Sequence, residues 1–563
     1  MAGLLPDANL ETVLVRPCPD PKFGDYQSNA LMSLAKERKR NPRQLAAQVV
    51  ERLDVKEWCS SVEIAGAGFL NFRITTDALA RTMAEAANGK HLFVRPAEKP
   101  RVIVVDFSSP NVAKPMHVGH IRSTILGESL ARTLRLLGHR VITDNHIGDW
   151  GTQFGKLLLG WKQDLDRAAL AQDPIGEMER LYKKINAACD ADAARYEKAK
   201  QELAKLQEGD AENLAIWKEM IALSQVQFDT IYRRLGVKFD YALGESFYNP
   251  RLKRVVGQLV EAGLARESEG AIRVFFDDVP ELKDHPAVIQ KADGAATYTT
   301  TDLATLAYRM ETWQPQEIIY VTDGRQQLHF KEIFTAFARW QPRAKVKLEH
   351  VWFGSILGED GKPFKTRSGE TVKLADLLDE AEERAFKTVT EKNPALGEAE
   401  RKEVARIVGI GAVKYADLLP NRQSDYVFSW DKMLAFNGNT APYLLYAYTR
   451  IRGIFRKLPD GEADGKALGA AALALSAPDE ITLAKHLVNF GLVLEAVADD
   501  CRPKYLCNYL YDLAGHFARF YESCPVLKAE GADRATRLTL CDLTGRVLQQ
   551  GLRVLGIETT EQM

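Results

Sequence analysis

The sequence predicts an α/β protein: a parallel-sheet domain interrupted by a helical insertion, with a small α+β domain before it and an all-α bundle after it. Three observations carry that expectation. Arg101-Val102-Ile103-Val104-Val105-Asp106-Phe107 is β-branched and almost wholly apolar, as a strand covered on both faces should be. After a Pro/Gly-bounded turn, Ile121, Ile125, Leu126, Leu130, Leu134 and Leu137 recur at helical spacing; Gly138 then stops the run and Val141-Ile142 begin a second strand, completing a β-α-β unit. From about residue 395 to the end only helical periodicity remains, with long runs at 441–458 and 505–521.

Taken in order, residues 1–95 read as the small α+β domain: a helical stretch at about 30–53, then two short alternating runs around a Gly turn at 62–72. A Pro-bearing segment, 89–100, leads into the sheet domain, 96–394. Within it, 165–235 turns Ala-, Lys- and Glu-rich and helical, as an insertion would. Strand signals return at 271–276, 317–321 and 345–353, where the sheet is expected to resume. The bundle occupies 395–563, and an Ala-rich patch at 465–477 reads as a surface turn between helices.

At 563 residues the chain should hold about three or four domains. A formal charge of −1 carries no global electrostatic signal, so a nucleic-acid surface would have to be a local patch. Seven scattered cysteines without a C-x-x-C pair suggest reduced thiols in a cytoplasmic protein and no zinc ribbon. No apolar run is expected to reach the roughly 20 residues of a membrane span, and the amino terminus lacks a basic-then-apolar signal. A soluble protein with no membrane partner is therefore expected.

Chemistry concentrates first in Pro110-Asn111-Val112-Ala113-Lys114-Pro115-Met116-His117-Val118-Gly119-His120, between strand and helix. Two imidazoles at a helix start can stand beside a polyphosphate, which the free backbone N–H groups and the helix dipole also favour, and Gly119 permits close approach. A metal pair is the rival reading of His117 and His120, although no Cys or carboxylate cluster nearby supplies further ligands. A second constellation is Gly358-Glu359-Asp360-Gly361-Lys362-Pro363-Phe364-Lys365-Thr366-Arg367-Ser368-Gly369. This basic loop could close over a triphosphate and neutralise developing charge, or be an ordinary solvated hairpin.

Together these stretches resemble the class I aminoacyl-tRNA synthetases, in which a HIGH-type turn and a KMSKS-type loop on one Rossmann-type fold hold ATP. The arginyl-tRNA synthetase family is the nearer likeness. It rests on Ser108-Ser109-Pro110-Asn111 ahead of the histidines, Gly148-Asp149-Trp150-Gly151-Thr152-Gln153-Phe154-Gly155, Tyr298-Thr299-Thr300-Thr301-Asp302-Leu303-Ala304, Asp323-Gly324-Arg325-Gln326-Gln327-Leu328-His329-Phe330 and Phe364-Lys365-Thr366-Arg367-Ser368-Gly369. The likeness covers essentially the whole chain. It implies a class I Rossmann-type catalytic domain, an N-terminal domain that contacts tRNA and a C-terminal anticodon-binding bundle.

The resemblance also implies a reaction: ATP with Mg2+ and L-arginine give arginyl-adenylate and pyrophosphate, then the arginyl group passes to tRNA(Arg). Lys114, His117, Gly119, His120 and Lys365 would face ATP, with Arg367 assisting the phosphate chemistry. The loop does not hold lysines at both KMSKS positions, and by the same resemblance Lys114, just ahead of the histidines, would be a substitute cation. Asp106, Ser109, Pro110 and Asn111 would meet the α-amino and carboxylate end of arginine, with His120 near the reacting carboxylate. Tyr298, Asp302 and Gln326 would form the guanidinium pocket. Chemistry agrees, since a guanidinium needs a carboxylate that accepts paired hydrogen bonds, and Asp302 lies four residues after Tyr298 on an expected helix turn. Read alone, Asp302 would be a dipole-stabilised carboxylate near a helix N-terminus.

In the bundle, Tyr443, Tyr446 and Arg450 are spaced to share a helix face, and on spacing alone they would be bundle packing. The resemblance makes them tRNA-binding residues for anticodon bases. No resident metal is expected, and a monomer is. A small nucleotidyltransferase with a HIGH-like turn would not need so long a helical tail. A catalytically dead RNA-binding paralogue would have lost the pocket, and glutamyl or cysteinyl specificity would want a basic pocket or a zinc site.

Overall fold

The computed structural model describes residues 7, 13–89, 91–365, 371–459 and 473–563. The N-terminal unit is a four-stranded antiparallel sheet, order β1-β2-β4-β3, of β1 (Arg16–Pro17), β2 (Tyr26–Ser28), β3 (Cys59–Ala65) and β4 (Phe69–Ile74). Helices α1 (Ala30–Glu37) and α2 (Pro42–Arg52) cover it, and α3 (Thr76–Ala87) leads out. The single helical stretch expected at 30–53 is thus two helices. Asn41 caps the second one, accepting from the N–H groups of Arg43 and Gln44, and Pro42 stands at its first position, which is where a helix starts and not where one continues.

The central sheet is parallel, in the order β11-β10-β5-β6: β5 (Val102–Phe107), β6 (Arg140–Asp144), β10 (Glu317–Val321) and β11 (Lys347–His350). Its two central strands, β5 and β10, are buried almost throughout, which is why they read as continuous apolar runs, whereas the edge strand β11 is only partly buried. Helix α4 (Val118–Leu136) crosses from β5 to β6 and packs so closely that a Cβ on Gly127 would lie 2.2 Å from Phe107 Cγ. Helix α5 (Thr152–Asp164) comes next, the insertion follows as α6 (Arg167–Gln172), α7 (Pro174–Ala191), α8 (Ala193–Glu208) and α9 (Ala211–Arg234), and α10 (Glu245–Glu261) returns the chain.

One expectation fails here. Residues 271–276 do not rejoin the parallel sheet. Strand β8 (Ala271–Val274) pairs antiparallel with β7 (Ala265–Ser268) and β9 (Ala287–Gln290) in a separate three-stranded sheet beside α11 (Tyr298–Trp313). Its apolar side chains Val274, Ala287 and Ile289 share a core with α10 and α11, so the strand signal was right and its partner was not.

Helix α12 (Gln327–Trp340) links β10 to β11, and the short β12 (Ile356–Leu357) pairs in parallel with β13 (Tyr426–Val427) beyond α13 (Leu374–Lys392) and α14 (Glu398–Leu418). The region after 395 therefore contains this one short strand among its described residues. The bundle continues with α15 (Trp430–Met433), α16 (Ala441–Phe455), α17 (Pro478–Leu487), α18 (Phe490–Asp500), α19 (Lys504–Ser523) and α20 (Gly531–Val554). Contrary to expectation, one stretch, Pro478–Asp500, is long and apolar enough by composition to cross a membrane. It is two helices, with Val488 and Asn489 between them, and Leu483, Leu487, Phe490, Leu494 and Val497 are buried in the bundle core. Most of the Ala-rich patch at 465–477 lies outside the described residues.

Candidate active site

The turn from β5 into α4 is held in an unusual backbone conformation. Ser108, Ser109 and Ala113 all have positive φ, at 75°, 47° and 62°, which costs non-glycine residues energy and persists only where the surroundings over-determine it. Those surroundings are explicit. Ser108 N–H donates to Ser123 Oγ at 2.8 Å and Ser109 N–H to Asn145 Oδ1 at 3.0 Å. Ala113 N–H donates to Ser224 Oγ at 2.9 Å, and Tyr232 Oη lies 2.8 Å from Ser108 Oγ and accepts from Asn145 Nδ2 at 3.0 Å. Ser224 and Tyr232 belong to α9, so the insertion buttresses the turn. Asn111 bridges to Gly148, where a Cβ would lie 2.2 Å from Asn111 Oδ1; Val112 N–H donates to Gly148 O at 3.0 Å.

His117 is the N-cap of α4. Its Nδ1 accepts the Gly119 N–H at 3.1 Å, and His120 Nδ1 accepts the His117 N–H at 3.0 Å, with the rings 3.9 Å apart. Burial lowers the pKa of both rings. His120 falls to about 3 with a further push from His117, while Arg325 and Lys114 add to the lowering at His117. Both imidazoles are therefore neutral at pH 7, and because each Nδ1 is an acceptor, each proton sits on Nε2. The pair presents N–H donors without carrying charge. Among the described residues no group of three or more His, Cys, Asp or Glu is placed to hold a metal, and the metal-pair reading gains no third ligand.

Cations surround this turn. Lys114 Nζ stands 4.5 Å from the Tyr182 ring on α7. Arg325, paired with Asp323 at 2.8 Å, is exposed and close enough to depress His117. The basic loop leaves β12 and closes on itself through bridges Leu357↔Pro363 and Lys365↔Thr371. Its return arm then pairs with the histidine turn: His117 bridges Lys373, Val118 N–H donates to Val372 O, and Leu374 N–H to Met116 O, both at 2.9 Å. The arm that follows the loop is thus bonded to the histidine turn, and Lys365, exposed, stands at the loop's neck. Arg367 lies outside the described residues.

Of the residues expected to line an amino-acid pocket, Tyr298 and Asp302 lie on α11 and Gln326 stands immediately before α12. Asp302 pairs with His329, Nε2 to Oδ2 2.8 Å, and the His329 ring meets the Tyr298 ring edge-on at 4.7 Å. Asp302 sits in the second turn of α11 and is not a cap. Tyr298 is 68% exposed at the helix start, and Gln326 is exposed immediately before α12. Glu245, at the start of α10, brings a second carboxyl. Burial pushes it up to about 7, with Asp302 and Asp149 adding to the rise and His146 opposing it. No sequence pattern marked Glu245; the available signal was an acid directly after a glycine at a helix start. His329 and Arg325 did lie inside the 323–330 stretch, and what singles them out is their contacts.

Asp106 is placed differently from expectation. It is 3% exposed, receives Arg309 Nη2 at 2.6 Å, and offers its other oxygen to Ser109 Oγ at 3.3 Å. Arg309, from α11, also reaches Asp144 at 2.8 Å. Asp106 therefore stands behind Ser109, satisfied by a buried guanidinium, and is not open to a ligand. Pro110 is likewise buried, while Asn111 and Gly119 are exposed.

On α16, Tyr446 is 51% exposed, the Tyr443 ring lies 5.5 Å from Tyr511, and the Arg450 guanidinium covers the Tyr521 ring at 4.8 Å. The three do share one face and leave Leu444, Leu445 and Tyr448 to the core. Tyr509, Phe517 and Phe520 are core; Tyr521 is half-buried and carries Arg450.

Comparison with known proteins adds three family matches. Residues 83–430 match the model for the catalytic domain of tRNA synthetases class I (R), 444–563 the DALR anticodon binding domain, and 2–74 the arginyl tRNA synthetase N terminal domain. The chain is similar to the arginine–tRNA ligase of Laribacter hongkongensis, 46% identical over 100% of this chain and 97% of that protein. It is equally similar, at 46%, to that of Chromobacterium violaceum, over 99% and 96%. Among solved structures it resembles arginyl-tRNA synthetase from Plasmodium falciparum (TM-score 0.84, 29% identity, covering 100% of this chain and 97% of that one). It also resembles the Thermus thermophilus enzyme (TM-score 0.82, 27% identity, covering 98% and 96%).

Proposed function

The chain belongs to the arginyl-tRNA synthetase family and ligates L-arginine to its cognate tRNA through an arginyl-adenylate formed from ATP; from that premise we propose a role for each part of the site. In the first step an oxygen of the arginine carboxylate attacks the α-phosphorus of ATP, and the bond to pyrophosphate breaks. Negative charge shifts onto the leaving pyrophosphate and the bridging oxygens. The Nε2–H groups of His117 and His120 donate to those oxygens while remaining neutral, and Lys114, Arg325 and Lys365 supply the positive charge. Arg367 joins them as the loop's further cation. Mg2+ enters with ATP on the phosphate oxygens, as suits an ion that keeps its waters and binds substrate phosphates.

The guanidinium of arginine sits between Asp302 and Glu245, with Tyr298 and Gln326 at the mouth. Ser109 and Asn111 take the α-amino and carboxylate end, Ser109 being held in place by Asp106 and Arg309. In the second step a hydroxyl of the tRNA 3′-terminal ribose attacks the arginyl carbonyl, AMP leaves, and the hydroxyl proton goes to the departing phosphate. Tyr443, Tyr446 and Arg450 receive anticodon bases. We divide the chain at 1–95, 96–394 and 395–563. The enzyme works as a monomer in the cytoplasm, where charged tRNA is supplied to ribosomes.

The observation that carries this reading is the convergence of two part-buried carboxyls on packed helices, Asp302 on α11, bonded to His329 beside Tyr298, and Glu245 at the start of α10, an arrangement that suits a cation. Arginine-dependent AMP formation, with lysine and glutamate as competitors and with and without tRNA, tests it. Formation of AMP with glutamate and not arginine would overturn the pocket.

A further inference from the structure

Two residues beyond His120, α4 carries Arg122, whose side chain is 3% exposed. Its Nε lies 3.0 Å from Asp417 Oδ1 on α14, and Asp417 is itself buried. Arg122 Nη1 donates to Gly354 O at 2.7 Å and to Ser424 O at 3.3 Å. The guanidinium is sandwiched between Phe353, at 5.6 Å, and Tyr426, at 5.1 Å. One side chain thus touches three bodies: the helix that carries the histidines, the strand that enters the basic loop, and the first long helix of the bundle.

The strand entering the loop has little freedom of its own. Gly354 N–H donates to Arg422 O at 2.9 Å, and Ser355 N–H to Asp425 Oδ1 at 2.6 Å. Arg422, also buried, donates to Trp352 O at 2.6 Å and to Cys501 O, at the end of α18, at 3.0 Å. On the other side, α14 packs against α16, the helix bearing Tyr446, while Lys414 three residues before Asp417 donates to Leu235 O and to Gly556 O. A buried ion pair is poor evidence for stability, because apolar residues of similar size often do as well. What the planar, five-donor guanidinium adds is a required geometry.

We propose that Arg122 is a positioning residue that sets the register between the histidine helix, the root of the basic loop and α14, and so carries the tRNA-bound arrangement of the bundle to the adenylation site. The proposal rests on the arginylation reading above. If it holds, losing Arg122 lowers the rate of adenylate formation without weakening either substrate, since neither arginine nor the anticodon touches it.

The test compares the full-length wild type with Arg122→Lys and with the double variant Arg122→Met/Asp417→Leu, which removes both buried charges together and so avoids stranding one of them. Thermal melts, arginine and tRNA affinities, and arginine-dependent pyrophosphate exchange at saturating tRNA are measured on each. The double variant should fold and bind arginine and tRNA within about twofold of wild type, while kcat for exchange falls about 30-fold or more at unchanged KM. Arg122→Lys, which keeps charge but not the fork, should recover only part of the rate. Equal kcat in a folded double variant, or a loss confined to KM, would overturn the proposal. If the double variant fails to fold, Arg122→Lys decides, and full wild-type kcat there overturns it. A wild type that exchanges no pyrophosphate with arginine and tRNA would instead refute the arginylation reading itself and the proposal with it.

Discussion

Arginine affinity should depend on pH through Glu245. Burial and the neighbouring Asp302 and Asp149 raise this carboxyl from the ordinary 4.5 to about 7, so in the empty pocket it is half protonated at neutral pH. That rise corresponds to about 3 kcal/mol of preference for the neutral acid, at about 1.4 kcal/mol for each factor of ten. A guanidinium entering the pocket reverses the preference, and the proton must leave on binding. The sign follows: affinity is highest above pH 7 and is lost as pH falls, because each step down makes the carboxylate scarcer. Between pH 8 and pH 6 the dissociation constant for arginine should rise about tenfold, and at pH 7 about half a proton should be released per arginine bound. Titration calorimetry in two buffers of different ionisation enthalpy measures both. Glu245→Gln should flatten the dependence. A wild-type affinity constant from pH 6 to 8, or an unchanged slope in Glu245→Gln, would refute the placement of Glu245 beside the bound cation.

Asp302→Ala should lower kcat/KM for arginine by about 100- to 1000-fold, through loss of a charge-assisted bond to the guanidinium, with little change in melting temperature; near-normal arginine affinity in calorimetry would count against the pocket. His120→Ala removes one donor to the phosphates and the acceptor of the His117 N–H, and should slow adenylate formation in single turnover by about 100-fold or more while tRNA binding is unchanged. Pyrophosphate exchange should be near background in rigorously tRNA-free protein and rise sharply when tRNA is added; rapid exchange without tRNA would separate the bundle from the first step. Tyr446→Ala should raise the tRNA concentration needed by about 10-fold, as the loss of one stacked base would, and filter binding at fixed salt reads it.

The β5-turn-α4 unit was legible because everything that defines it is local: a run of β-branched residues, a turn rich in Pro and Gly, and a 3.6-residue apolar repeat. The helices of the insertion and of the bundle declared themselves in the same way. The partner of 271–276 did not, since a strand's periodicity says that it pairs and not with what. The same limit governs the site. His117, His120 and Asp302 stood in recognisable stretches, whereas Glu245 acquires its chemistry only when α10 is brought against α11, and nothing near it in sequence announces that. Asp106 shows the converse error. A carboxylate at the end of the central strand looks available until Arg309, two hundred residues away, is seen to occupy it.

The buttressing of the β5-α4 turn by α9 also bears on how this catalytic unit could be reduced in size. A designer seeking a minimal adenylating core would excise the helices between Arg167 and Arg234, which resemble a detachable decoration on the sheet. Yet Ser224 and Tyr232 lie within that span and complete the hydrogen bonding of Ala113, Ser108 and Asn145. Cutting it away would leave a left-handed serine pair with part of its scaffolding gone. A truncated core would therefore need substitutes for two hydroxyls before it needed any new active-site residue.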